Sequence, residues 1–300
     1  VHRHTSKATT DGDRPRVKAF FHQDSSTFTY VVHHADSAVI IDPVLDYDAP
    51  SARTSTTSAD AVIAYIRDRK LRAAWILETH AHADHLSAGS YLRSTLGAPM
   101  AIGAGIVQIQ KHFKSLFNLG DDFVPDGRQF DRLLQDGDDL VAGEMSVRVL
   151  ATPGHTQDGL TYLIGDAAFV GDTVFAPETG TARCDFPGGD PARLYHSIQK
   201  IFALPAHTRL FLCHDYPPPG RSEAAQCSIA AQREGNVHVG HNTMEAEFIA
   251  LRRARDATLP PPRLILPALQ VNIQGGRLPL PAENGITYLK LPLNQMGPKA

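Results

Sequence analysis

The stretch Thr79-His-Ala-His-Ala-Asp-His85 follows directly on the apolar run Ala73-Ala-Trp-Ile-Leu77. Any fold this chain adopts must therefore bury a strand and carry His80, His82, Asp84 and His85 on the turn at its end. Four metal-capable side chains crowded onto one turn are not what packing selects, and a solvated loop that is merely rich in histidine explains the spacing poorly. The turn is read as a binding site for a transition metal.

The remaining ligands are sought at the ends of other strands. Val147-Arg-Val-Leu-Ala-Thr-Pro-Gly-His155 closes an alternating apolar run with a Pro-Gly turn and a histidine. Ala167-Ala-Phe-Val-Gly-Asp172 closes another, and Arg209-Leu-Phe-Leu-Cys-His214 a third. A single histidine after a strand is more often structural. Four such endings in chain order reinforce one another. Imidazole and carboxylate donors with no cysteine among them suit zinc or iron.

A chain of 300 residues with 42% hydrophobic content can bury a full core as one large domain or two. A net charge of −3 and a pI near 6.6 give no electrostatic case for nucleic acid or an anionic membrane. No apolar run approaches the roughly 20 residues a membrane span needs. Val1-His-Arg-His-Thr-Ser-Lys7 lacks the apolar centre of a secretory signal, and residues 1–15 are expected to be a flexible tail. Cys184, Cys213 and Cys227 form no CxxC pair and suggest a reducing compartment. A cytoplasmic protein is expected, with a homodimer left open.

Strands and helices alternate. Lys18–Phe21, Thr27–Val32 and Ala38–Ile41 read as strands. Ser58 is expected to cap a helix with Val62, Ile63 and Ile66 on one face. Leu86–Leu96 reads as a helix stopped by Gly97, and Pro191–Phe202 as a helix with proline in its first turn. Residues 217–300 are expected to pack on the core as a helix-plus-extended segment. In it, 223–233 and 245–256 read as helices, and 264–274 and 287–293 as extended segments. The Arg252-Arg-Ala-Arg255 cluster is taken as a solvated helix face.

On His80-x-His-x-Asp-His85, His155, Asp172 and His214, the chain resembles the metallo-β-lactamase superfamily, from about Ala19 to Tyr216. Within it, Gly180-Thr-Ala-Arg-Cys-Asp-Phe186, Leu194–Pro205 and His214-Asp-Tyr216 are most similar to the persulfide dioxygenases. That resemblance implies an α+β fold in an αββα sandwich, two mixed β-sheets packed face to face with helices outside. Residues 16–216 would be its catalytic core. It further implies one Fe(II) held by His80, His155 and Asp172, with His82, Asp84, His85 and His214 as a surrounding or second-metal set. The substrates would be glutathione persulfide and O2, the products sulfite and glutathione. Two neutral imidazoles and one carboxylate leave such an Fe(II) site near +1, which favours an anionic persulfide.

The same residues also suit two Zn2+ bridged by Asp172, as in glyoxalase II-like thioester hydrolases, and a third class is a non-enzymatic metal-binding protein. Arg183 and the Leu-Tyr-His-Ser helix favour the dioxygenase. The family's usual Gly-Cys-Gly-Arg is here Gly180-Thr-Ala-Arg183. Arg183 is expected to grip a glutathione carboxylate, against the simpler alternative of an ion pair with Asp185. Thr156, Tyr216 and Arg221 are further candidates for the substrate pocket.

Overall fold

A computed structural model describes residues 14–217 and 220–295; the expected tail at 1–15 lies almost wholly outside them. The first half of the chain runs β1 (Arg16–His22), β2 (Thr27–His34), β3 (Ser37–Ile41), β4 (Val44–Asp48), β5 (Arg53–Ser55), α1 (Thr57–Asp68), β6 (Arg72–Leu77), β7 (Leu86–Ser87), α2 (Gly89–Leu96), β8 (Met100–Gly103), α3 (Ile106–Leu116) and β9 (Arg132–Leu134). The second runs β10 (Asp139–Ala142), β11 (Met145–Ala151), β12 (Leu160–Ile164), β13 (Ala167–Phe169), α4 (Pro191–Phe202), β14 (Arg209–Phe211), β15 (Gln226–Ser228), α5 (Ile229–Gly235), α6 (Glu245–Asp256) and α7 (Ile265–Asn272).

Each half makes one mixed six-stranded sheet, ordered β1-β2-β3-β6-β8-β9 and β10-β11-β12-β13-β14-β15, and a small sheet β5-β4-β7 flanks the first. The antiparallel neighbours β1/β2, β2/β3, β10/β11 and β12/β13 follow one another through short turns. The parallel pairs β3/β6 and β13/β14 need a crossover, supplied by α1 and α4.

Period-two alternation divides the core into three layers. On β3, Val39 and Ile41 face the second sheet, where they meet Val147, Val149, Tyr162 and Phe169. Ala38 and Ile40 face outward and are covered by Val62, Ile63 and Ile66 of α1, Leu92 of α2 and Leu269 of α7. On the far side, Ala168, Val170 and Leu210 lie under Leu194 and Ile198 of α4 and Phe248 of α6. The result is the αββα sandwich anticipated from the sequence. At about 1.5–3 kcal/mol per fully buried large aliphatic or aromatic side chain, these layers are the main favourable term in folding.

Several expectations need correction. Helix α1 begins one residue before Ser58, with Thr56 at its N-cap, because Asp46 of β4 takes both the Ser58 N–H (2.9 Å) and its hydroxyl (2.6 Å). Residues Leu86 and Ser87 pair with β4 as a strand before α2 starts at Gly89; Gly97 does end α2 in the left-handed conformation. The expected helix at 223–233 is a strand, β15, on the edge of the second sheet, followed by α5. Ser228 separates them by accepting the Ala231 N–H at 3.1 Å, as an N-cap does. The segment 264–274 is not extended but holds α7. That helix is buried nearly all round, so its sequence lacks the polar stripe by which a surface helix is recognised. Pro267 sits in its first turn, where proline is tolerated. Residues 287–293, expected to be extended, form neither strand nor helix and run into a turn at Leu293.

Candidate metal centre

All the candidate ligands lie at C-terminal strand ends along one edge of the sandwich. His80, His82, Asp84 and His85 follow β6 in the first sheet; His155, Asp172 and His214 follow β11, β13 and β14 in the second. The two groups meet across the seam, where Thr27 and His214 form a bridge between the sheets. Gly171, with φ of +51°, allows the approach: a Cβ there would lie 2.7 Å from Thr79 Oγ1.

His80, His155 and Asp172 offer ligand atoms within 4.8 Å of one another, and so do His82, Asp84 and His85. His80 Nε2 and His155 Nε2 stand 3.8 and 3.5 Å from Asp172 Oδ2. His214 Nε2 lies 3.2 Å from Asp172 Oδ1 and 3.4 Å from Asp84 Oδ2. Asp172 is thus shared by His80, His155 and His214.

The fit to a metal can be read from the tautomers. A carbonyl can only accept, so His155 Nδ1 donates to Arg183 O (2.6 Å) and His85 Nδ1 to Leu86 O (3.1 Å). His214 Nδ1 likewise faces Ser26 O at 3.2 Å. The Thr79 hydroxyl donates to Asp42 Oδ2 (2.9 Å), which leaves its oxygen to accept from His80 Nδ1 (3.0 Å). His82 Nε2 points at the carboxylates of Asp42 (3.0 Å) and Glu78 (3.5 Å). Each ring is therefore fixed through one nitrogen and presents the other toward the seam, the arrangement that orients metal-binding histidines. His80 Nε2, His82 Nδ1, His85 Nε2, His214 Nε2 and Asp172 Oδ1 are all buried with no hydrogen-bond partner. Buried polar atoms left without partners are costly. A cation in the His80, His155 and Asp172 group would satisfy His80 Nε2 and Asp172, and one in the His82, Asp84 and His85 group would satisfy His82 Nδ1 and His85 Nε2.

The electrostatics agree. Burial, then His82, hold His80 neutral, with its pKa well below the ordinary imidazole value. Burial also disfavours charge on His214, but Asp172 and Asp84 outweigh it and raise its pKa to about 9. Asp172 is buried too, yet His214, His80 and His155 hold its carboxyl well below the usual range.

A cavity of about 370 Å³ opens on this centre. Its walls include Phe175, Phe186, Leu259 and Pro262, with His155, Asp172 and His214 at its floor. Tyr216 stands at the edge, half exposed, its ring stacked 5.9 Å from that of His214. A larger cavity of about 860 Å³ lies alongside, beyond Arg183, but contains no member of the ligand cluster.

The other sequence candidates are placed differently. Arg183 lines the cavity, but its guanidinium is held by Asp185 through two 2.6 Å bonds and by Pro260 O at 2.6 Å. The ion pair weighed against the carboxylate role is the contact that forms. Thr156 is buried behind His80, His155 and Asp172, in a narrow space apart from the open cavity. Arg221 is bonded to Asp215 at 2.8 and 2.7 Å and lies outside the cavity.

Sequence reading missed three features. Arg252, assigned to a solvated face, is buried: it pairs with Asp256 and donates to Thr181 O at 3.1 Å. Arg255, one turn on, lines the cavity, and among the described residues it has no ion-pair partner. Asp42, Glu78 and Asp158 brace the His80–His85 turn from behind, Asp158 by accepting the Ala81 N–H at 2.8 Å. Asp42 carries no signal of this role in the sequence. Its residence on the turn after β3, directly beside β6, is visible only once the two strands are paired in parallel.

A profile of the metallo-beta-lactamase superfamily matches residues 23–214. A probable metallo-hydrolase of Burkholderia pseudomallei is 48% identical over 93% of this chain and 99% of its own length. The Dictyostelium discoideum protein named glyoxylase B2 is 44% identical over 95% and 99%. The human mitochondrial persulfide dioxygenase ETHE1 is 32% identical over 67% of this chain and 68% of its own. The chain spans 65% of the beta-lactamase hydrolase-like protein of Agrobacterium fabrum, at 49% identity. Among solved structures, ETHE1 from Myxococcus xanthus superimposes with a TM-score of 0.69 at 29% identity, covering 87% of this chain and all of that one.

Proposed function

The chain belongs to the metallo-beta-lactamase superfamily, and from that premise we propose that it is an Fe(II)-dependent persulfide dioxygenase. It would oxidise glutathione persulfide with O2, water supplying the third oxygen of sulfite and the thiol leaving as glutathione. The observation that carries the reading is the His80, His155 and Asp172 group on one side of a largely apolar cavity. Two imidazoles and one carboxylate from three separate strand ends are the donor types that would hold a non-haem Fe(II) and leave it free to take substrate. The likeness to human persulfide dioxygenase and to the Myxococcus structure supports the same reading.

Iron bound there would supply open coordination positions and an accessible second oxidation state. The protein's part is positional. Arg183 O fixes the His155 ring through Nδ1, so that Nε2 faces Asp172. Phe175, Phe186, Leu259 and Pro262 keep bulk water from the floor, and the Arg255 guanidinium places positive charge where an anionic carrier would enter.

A second reading, a binuclear zinc thioester hydrolase, is favoured by a specific observation. His82, Asp84 and His85 form a second close group, which His214 joins to Asp172 by lying 3.4 Å from Asp84 and 3.2 Å from Asp172, and the glyoxylase B2 and metallo-hydrolase relatives carry hydrolase-type names. One experiment separates them. On an iron-loaded preparation, persulfide should consume O2 and yield sulfite, and removing the metal should abolish both. S-lactoylglutathione cleaved briskly without O2, with no persulfide-dependent O2 uptake, would establish the hydrolase.

A further inference from the structure

The turn that carries His80–His85 has to hold its own backbone in place as well as its side chains. Two of its carbonyls, those of His82 and His85, accept no backbone N–H among the described residues. Both are met by one side chain. Asn272, the last residue of α7 and almost wholly buried, donates from Nδ2 to His82 O and to His85 O, each at 2.8 Å. Its Oδ1 accepts the Ser87 N–H at 2.7 Å. Both amide hydrogens and the carbonyl oxygen are thus spent on three backbone groups within a six-residue span. Aspartate has the same shape but offers no donor, and glutamine is one methylene too long for a site closed on every side.

We propose that Asn272 is a positioning residue for the metal centre, so that α7 is a working part of the site. It sits well outside the 23–214 stretch that the superfamily profile matches. Its carbonyl bonds fix the residues that present His82 Nδ1 and His85 Nε2, two of the buried nitrogens without a partner. The inference rests on the turn itself: in the iron reading Asn272 acts through the backbone that carries His80, and in the zinc reading it also sets His82 and His85.

The test uses the full chain loaded with Co(II), whose absorption spectrum reports coordination geometry without reference to turnover. Asn272→Ala should weaken Co(II) affinity by about 10–100-fold, the range seen when groups orienting metal ligands are removed, and should alter the spectrum. Gln110→Ala is the control. Gln110 donates to Ile273 O at 2.8 Å and so anchors the same end of α7 without touching the metal turn. It should lower the unfolding midpoint while leaving Co(II) affinity and spectrum unchanged. If Asn272→Ala does not fold, Asn272→Ser, which keeps one donor, decides: its affinity should fall to an intermediate value. Wild-type affinity and spectrum in a folded Asn272 variant would overturn the proposal. So would equal loss of affinity in Gln110→Ala, which would reduce Asn272 to a general support of the helix.

Discussion

Replacing Arg252 by methionine should destabilise the protein far more than its place in an arginine-rich helix suggests. The guanidinium is 2% exposed and is bonded to Asp256 and to Thr181 O. Asp256 in turn accepts the Cys184 N–H at 2.9 Å, so the pair ties α6 to the loop forming one wall of the cavity. Methionine keeps the length of the stem and removes only the charge and its donors. The Asp256 carboxylate is then left buried with a single hydrogen bond, and stranding one partner of a buried pair costs about 3–5 kcal/mol. With an m-value of about 3 kcal/mol/M in urea, the midpoint should fall by about 1 to 1.7 M. The measurement is urea unfolding followed by far-UV circular dichroism, with metal saturation held equal because a bound ion stabilises by mass action. Adding Asp256→Asn should recover much of the loss, since the amide oxygen still receives the Cys184 N–H and no charge remains. A single Arg252→Met variant within about 1 kcal/mol of wild type would show that water reaches the pair, and the argument from burial would fail.

Two further outcomes follow from the cavity walls. Arg255→Ala should raise KM for glutathione persulfide by about 10-fold or more with kcat nearly unchanged, since it removes a contact made equally in ground and transition states. Arg183→Ala, whose guanidinium is already bonded to Asp185 and Pro260, should change KM less; steady-state O2 uptake on both variants checks the order. Burial, then Asp256, push the Cys184 thiol up to about 12. The raised value keeps the thiol neutral below that pH, so the rate of iodoacetamide labelling of Cys184 in the folded protein should rise about tenfold per pH unit all the way from pH 7 to 10. A rate that bends over near pH 8.5 and levels off by about pH 10 would mark an ordinary, exposed thiol.

The metal-binding residues were legible because chemistry of this kind leaves little choice of side chain, and their strands carry clean period-two signals. The same holds for α4, where Asp190 caps the start and accepts the Arg193 N–H at 2.8 Å. What the sequence concealed are residues whose role depends on a partner far along the chain. Arg252 reads as surface because three arginines in four positions ordinarily face water; its burial is set by Asp256 and Thr181. Helix α7 has no polar face to betray it, and Asn272 in isolation resembles a helix terminus. Arg183 shows the reverse error. Its segment matched a familiar pattern, but the neighbouring Asp185 and the 259–260 loop had already claimed its donors.

The division of the ligands between two consecutive halves of the chain carries a consequence for assembly. The first half closes its own sheet and delivers His80 to His85; the second closes another and delivers His155, Asp172 and His214. Neither holds a complete donor set for the proposed iron, so an ion can be gripped fully only after the two sheets have met. Pairings between such distant segments form late, because loop-closure entropy is lost before they reward it. The cation then acts as a rivet through two plates, strengthening a joint already made without drawing the plates together. Two fragments divided at the turn before Asp139 should accordingly each bind metal weakly, and regain tight binding only on being mixed.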